Sequence, residues 1–171
     1  ALVTGGGSGL GEATARELAR LGAKVAVLDV NLDNAKKVAA DIGGIALQAD
    51  VTSGPSMEAA LAEAAAAHGP ARILMQIAGI GTAKRVIGRD GEPAPLEDFE
   101  RVIRVNLVGS YNMTRLFAAR CAKLAALEDG DNDIPMALRH ALGEVFVQAG
   151  QQRLQQFVQA AALQQFGRQG R

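Results

Sequence analysis

The chain has 171 residues with 18 basic and 18 acidic side chains, so its formal net charge is zero, and 49% of it is hydrophobic but only 4% aromatic. That length suits one domain with a real core, and a neutral balance without a Lys/Arg-rich run lacks the electrostatic footprint of a nucleic-acid binder. Its apolar stretches fall short of the ~20 residues a membrane span needs, and the single cysteine, Cys121, excludes an internal disulfide and points to a reducing, cytoplasmic setting.

Ala1-Leu2-Val3 is an apolar, strand-like run ending in Thr4 and a glycine cluster. The chain thus opens inside a strand and without methionine, and a few residues before Ala1 are expected to be missing. Glu12–Leu21 spaces Ala15, Leu18, Ala19 and Leu21 as a helix does, with Gly22 after it. Lys24–Asp29 is an almost wholly apolar run, the pattern of a strand buried on both faces. Leu32–Ile42 reads as a helix stopped by Gly43-Gly44, Ile45–Ala49 as a third strand, Ser56–His68 as an alanine-rich helix closed by Gly69-Pro70, and Arg72–Ile77 as a fourth strand. His68, at a helix end, is read as a cap whose partial positive charge suits the dipole. This alternation predicts an α/β fold, a Rossmann-type doubly wound parallel sheet with right-handed crossovers and strand order 3-2-1-4. Thr82–Pro95 reads as a surface loop, and Leu96 to about Leu127 as one long helix on which Cys121 serves packing.

Composition changes after residue 128, which predicts two parts: a dinucleotide-binding domain over 1–128 and a divergent tail over 129–171, packed on the same domain. From Val145 to Arg171 there is no Asp or Glu, and nine of the last 24 residues are glutamine. Leu138, Leu142, Val145 and Ala149, then Leu154, Phe157, Val158 and Ala161, fit an amphipathic helix; Val145-Phe146-Val147 also fits a short strand over Glu144–Gln148. Either the strand or a helix around 154–166 is expected to cover the apolar edge of the fourth strand. His140 has no acid or cysteine at ligand spacing, so no metal site is expected.

The strongest chemical signal is Thr4-Gly5-Gly6-Gly7-Ser8-Gly9-Leu10-Gly11 between the first strand and first helix. Gly5 permits a tight turn, Gly9 lets backbone approach a pyrophosphate, and Gly11 lets the helix pack closely, while the helix N-terminus offers free N–H groups. Asp29 ends the second strand 18 residues after Gly11. An acid there accepts hydrogen bonds from ribose hydroxyls and repels a 2′-phosphate, which favours NAD over NADP. The alternative is that Asp29 only caps the following turn.

These residues resemble the short-chain dehydrogenase/reductase family. Gly5-x-x-x-Gly9-x-Gly11 after Thr4 is similar to that family's dinucleotide loop, which implies Gly5, Ser8, Gly9, Leu10 and Gly11 as cofactor contacts beside Asp29. Asp50-Val51 resembles its adenine-contacting pair, and Ala78-Gly79-Ile80 the end of its Asn-Asn-Ala-Gly motif, so the resemblance also implies Asp50, Val51, Ile77, Ala78 and Gly79. Val105-Asn106-Leu107-x-Gly109 looks like the helix carrying the family's catalytic asparagine, here Asn106; a purely structural amide is the alternative. TGGGSGLG, the 82–95 loop, LEDFERV and VNLVGSYNMTRL are most similar to type-2 3-hydroxyacyl-CoA dehydrogenases. The resemblance covers residues 1 to about 128. It implies NAD as cofactor, a small-molecule substrate such as a 3-hydroxyacyl-CoA or a hydroxysteroid, oxidation by hydride transfer, no nucleic acid or membrane partner, and a homo-oligomer built through the 96–127 helix.

Two departures stand out. Gln76 and Ile77 replace the family's asparagines, and Ile77 offers no side-chain bond, so a looser strand end is expected there. The family's chemistry also uses a serine, a tyrosine and a lysine that makes the tyrosine useful below its ordinary pKa of about 10. Here the only tyrosine is Tyr111, the last serine Ser110 and the last lysine Lys123, all ahead of where those groups would fall. Tyr111-x-x-x-Arg115 has the spacing but not the chemistry, since arginine holds its proton; a helix-face pair is expected instead. The chain as it stands is expected to be inactive. Three accounts of the tail stay open: a truncated or frame-shifted product, a divergent nucleotide-binding partner subunit without catalysis, and an oligomerisation module.

Overall fold

The structure, a computed structural model, describes residues 1–82 and 84–125. Strands β1 (Leu2–Thr4), β2 (Ala26–Asp29), β3 (Ile45–Gln48) and β4 (Leu74–Gln76) lie parallel in the order β3-β2-β1-β4. Helices α1 (Gly9–Arg20), α2 (Leu32–Ile42) and α3 (Gly54–His68) make the crossovers. β2 and β3 are laid to one side of β1 and β4 to the other, so the winding direction reverses between β1 and β4. The doubly wound order read from the alternation is therefore present.

Side-chain alternation along the strands splits the core into two layers. Leu2, Ala26, Leu28 and Leu47 pack with Met57, Leu61, Met113 and Phe117, while Val3, Val25 and Val27 pack with Ala15, Ala35 and Val38. Each fully buried leucine contributes about 1.5–3 kcal/mol relative to exposure. Much of what the helices contribute is alanine: Ala15, Ala35, Ala39, Ala60 and Ala64 are all at most 4% exposed. Alanine brings a helix backbone close to the sheet and loses no rotamer freedom on burial.

Helix starts differ from those read from apolar spacing, because caps and glycines carry no hydrophobic signal. α1 begins at Gly9, three residues before Glu12. α3 begins at Gly54, with Ser53 at its N-cap accepting from the Ser56 N–H (3.3 Å) and Pro55 in its first turn. α2 is capped by Asn31, whose Oδ1 accepts from the Asn34 N–H (3.1 Å), and stops at Gly43 with φ +63°.

The single helix expected over 96–127 is composite and shorter. α4 (Leu96–Ile103) runs into a π-helical segment (Arg104–Gly109) and then into α5 (Ser110–Cys121). Lys123 N–H donates to the Arg120 carbonyl and Leu124 N–H to Cys121, three-residue bonds that tighten the chain and end the helix. The described residues of 82–95 are exposed apart from half-buried Ala94, as expected of a surface loop, and an Ile87–Pro93 bridge pinches the segment. Lys84 pairs there with Asp98, and that bond holds the Asp98 carboxyl below its usual range.

Two single-residue readings part ways. Cys121 packs beside the core with its thiol directed to the Ala71 carbonyl (3.7 Å), and burial pushes the thiol pKa up. His68 lies in the last turn of α3, but its surroundings disfavour the charged form. Its Nδ1 is buried without a partner, and burial, then Lys24 and the N-terminal ammonium, push its pKa down. The helix end is closed by the Gly69 N–H on the Ala65 carbonyl. The tail, with His140, the 144–148 strand and the helix around 154–166, lies outside the described residues.

Candidate functional site

The C-terminal ends of all four strands open into one cleft of about 450 Å³ at the switch point, a size typical of small-ligand sites. Its lining contains every residue expected to hold the cofactor: Gly5, Ser8, Gly9, Leu10 and Gly11 from the β1–α1 turn, Asp29 from β2, Asp50 and Val51 after β3, and Ile77, Ala78 and Gly79 after β4.

The turn is fixed by close backbone approach. Gly5 has φ +65°, and a Cβ there would meet the Ala78 Cα at 2.7 Å. A Cβ at Gly11 would lie 1.9 Å from the Gly5 carbonyl oxygen, so this glycine seats α1 on the turn itself. Ser8 occupies the N-cap without a side-chain capping bond. The first-turn N–H groups of α1 therefore face the cleft without an intrahelical acceptor.

Asp29 has a double structural duty. Its Oδ2 accepts from the Gly7 N–H and its Oδ1 from the Asn31 N–H, both at 2.9 Å. It caps the next turn, the alternative considered from sequence, and it also ties the glycine turn to β2 while lining the cleft. Asp50 holds its own loop, its Oδ1 accepting from the Thr52 N–H and hydroxyl, both at 2.8 Å.

The β4 end is firmer than Ile77 alone predicts. Ile77 N–H donates to the Thr4 carbonyl (3.2 Å), Ala78 N–H to the Thr4 hydroxyl (3.4 Å), and Gln76 Nε2 to the Thr114 hydroxyl on α5 (2.8 Å). The expected loosening is corrected: Gln76 reaches a helix, and buried Thr4 supplies the acceptors.

Asn106 sits in the π-helical segment and closes two bonds with one residue. Its Nδ2 donates to the Ile80 carbonyl (2.8 Å) and its Oδ1 accepts from the Ile80 N–H (2.9 Å). That geometry matches the structural-amide alternative, and it fixes the backbone that leaves β4. Tyr111 and Arg115 do not form a helix-face pair. Tyr111 is 61% exposed, and Arg115 donates through Nε and Nη2 to the Asn112 Oδ1 (3.0 and 2.7 Å). Asn112 went unnoticed in the sequence; its signal was a lone amide beside the buried Met113, Leu116 and Phe117. No cluster of ligating side chains occurs among the described residues, and none of their helices is long and apolar enough to cross a membrane.

The family profile for short chain dehydrogenase matches residues 1–125. The chain belongs to the short-chain dehydrogenase family. Its relatives include the 3-hydroxyacyl-CoA dehydrogenase type-2 of Drosophila melanogaster, 38% identical over 136 residues, which are 78% of this chain and 53% of that protein. The Homo sapiens protein of the same name is 39% identical over 121 residues, 69% of this chain and 46% of its own length. Among solved structures, 3-hydroxyacyl-CoA dehydrogenase type-2 from Mycobacterium avium superposes with a TM-score of 0.67 at 39% identity, covering 75% of this chain and 51% of that one. A 3-ketoacyl-(acyl-carrier-protein) reductase from Brucella melitensis, complexed with NADH, gives 0.64 at 36% identity, covering 70% and 48%. The chain thus spans about half the length of the short-chain dehydrogenases it matches.

Proposed function

We propose that the cleft binds NAD(H) and that the chain is the nucleotide-holding part of an oxidoreductase acting on a 3-hydroxyacyl-CoA or a similar secondary alcohol. The observation that carries this reading is the cleft itself, which gathers the glycine turn, Asp29 and the Asp50–Val51 loop at the switch point. The residues present fit the group. Gly9 faces open space where a Cβ would stand, leaving room for a pyrophosphate against the α1 N-terminus. Asp29 retains acceptor capacity on both oxygens for ribose hydroxyls, and its charge opposes a 2′-phosphate. Asp50 and Val51 would wall the adenine, and Ile77, Ala78 and Gly79 offer backbone beside β1.

A nicotinamide held here would supply hydride-acceptor chemistry for a secondary alcohol. The chain's own contribution is binding and orientation, with Asn106 holding the Ile80 backbone at the cleft edge. These 171 residues place no serine or Tyr-x-x-x-Lys after Lys123 to move the proton, so the proposal includes little or no turnover by this chain alone. The exposed Phe99 and Tyr111 on the 96–127 stretch support self-association through that face. A cytoplasmic location completes the proposal. Titration with NADH and NADPH, followed by an assay on a short 3-hydroxyacyl-CoA, tests it. NADH binding tighter than NADPH with negligible turnover is the expected result; equal affinity for both overturns the NAD assignment.

A further inference from the structure

Val51 is gripped from the far side of the cleft. Its carbonyl accepts from Asn112 Nδ2 at 2.9 Å. Its side chain lies against Gly109 so tightly that a Cβ there would stand 2.6 Å from Val51 Cγ2. Val51 is 8% exposed and Asn112 6%. The amide is itself oriented, because Arg115 Nε and Nη2 fork onto its Oδ1 (3.0 and 2.7 Å) and leave Nδ2 to face Val51. A buried amide with both ends bonded holds one rotamer and one flip state.

The rest of that loop is held locally. Asp50 N–H donates to the Ser56 hydroxyl (3.0 Å) and Ser53 N–H to the Asp50 carbonyl (3.0 Å). Those bonds shape the turn without setting its height above the sheet. Among the described residues, the bond from Asn112 is the one hydrogen bond that ties Val51 to an element outside the β3–α3 connection. Gly109 and Asn112 flank the junction of the π-helical segment with α5, and the same segment carries Asn106 on the Ile80 backbone.

We propose that Asn112 is a positioning residue for the adenine end of the cleft, acting through the Val51 carbonyl and indexed by Arg115. This rests on the cleft binding an adenine dinucleotide. Loss of the bond frees Val51 to shift and should weaken NADH about tenfold, the equivalent of ~1.4 kcal/mol.

The test uses the full chain and three variants. Asn112→Asp is isosteric and keeps the Arg115 partner but loses the donor to Val51; Asn112→Ala loses both; Arg115→Met keeps the donor. NADH dissociation constants are measured by fluorescence beside apo melting temperatures. Nitrogen-15 NMR follows ligand-induced shifts at Ser8 and Gly9 and at Asp50 and Val51. The expected result is weak NADH binding in both Asn112 variants and a smaller loss in Arg115→Met, which keeps the donor but releases its orientation, whatever their melting temperatures. In Asn112→Asp the Asp50 and Val51 shifts should collapse while those at Ser8 and Gly9 persist. Binding that follows melting temperature across all three variants, or Asn112→Asp binding as tightly as the native chain, overturns the positioning role and leaves the nucleotide reading standing. Absence of Ser8 and Gly9 shifts in the native chain overturns the nucleotide reading, and this role with it.

Discussion

Replacing Asp29 by alanine separates two tasks that one carboxylate performs. In the free protein it holds the Gly7 and Asn31 N–H groups at 2.9 Å, the first part-buried and the second exposed. Hydrogen bonds to a charged group are worth about 1.5–3 kcal/mol when sheltered and less in water, so the pair together should contribute roughly 2 kcal/mol. For a unit of this size that lowers the melting temperature by about 8 °C. With ligand, the variant loses the ribose acceptors, worth about one to two decades in NADH affinity at ~1.4 kcal/mol per decade. NADPH loses the ordered Gly7 turn but escapes the repulsion of its 2′-phosphate, so its affinity should change little. The ratio of the two dissociation constants, from parallel fluorescence titrations, should therefore fall by at least about tenfold. Asp29→Asn, which keeps one acceptor, should recover part of the stability and none of the discrimination. An unchanged ratio would refute the ribose role, and an unchanged melting temperature would refute the turn-locking role.

Gly11→Ala should be far worse than a typical glycine-to-alanine change in a helix. The methyl meets the Gly5 carbonyl oxygen at 1.9 Å, and no rotamer relieves a backbone clash, so a loss of about 3 kcal/mol or more is expected by urea denaturation. Asn106→Leu keeps the branched shape but releases the Ile80 backbone; it should cost about 1–3 kcal/mol and speed amide exchange at Ile80, and unchanged exchange there would contradict the clamp. Burial holds the His68 pKa below its ordinary 6.5, so the unfolded chain binds more protons around that pH. Stability should then be complete above pH 6.5 and decline as pH falls through the lowered value, and His68→Gln should flatten that slope in urea titrations between about pH 5 and 8.

The β-α alternation, the strand order and the glycine turn were readable because each leaves a local mark: an apolar run, a glycine at a helix end, an acid closing β2. Gly5 and Gly11 are informative in sequence because nothing else fits a turn that meets Ala78 and itself so closely, and Gly9 because its φ of +54° favours glycine. What escaped was side-chain traffic between distant elements. Gln76 looked like a defect because spacing cannot show that Thr114 lies across from it. Tyr111 and Arg115 looked like a pair because helical spacing ignores a nearer acceptor, Asn112, one turn away. The π-helical segment left no apolar signature, since it changes the hydrogen-bond register rather than the side-chain types.

The alanines that line both faces of the sheet set an asymmetry in what the chain tolerates. Ala15, Ala35, Ala39, Ala60 and Ala64 are almost wholly shielded, and each is already the smallest residue that keeps a Cβ. There is little left to remove at these sites, but any added methylene must push a helix off the sheet. Truncation to glycine therefore opens little space and costs chiefly helix propensity, about 1 kcal/mol per site, while enlargement strains the packing, the reverse of a core built from leucine and phenylalanine, where shrinkage opens cavities. The spacing between helices and sheet at these five sites is thus set by the smallest side chains that still pack, and it can widen but hardly narrow.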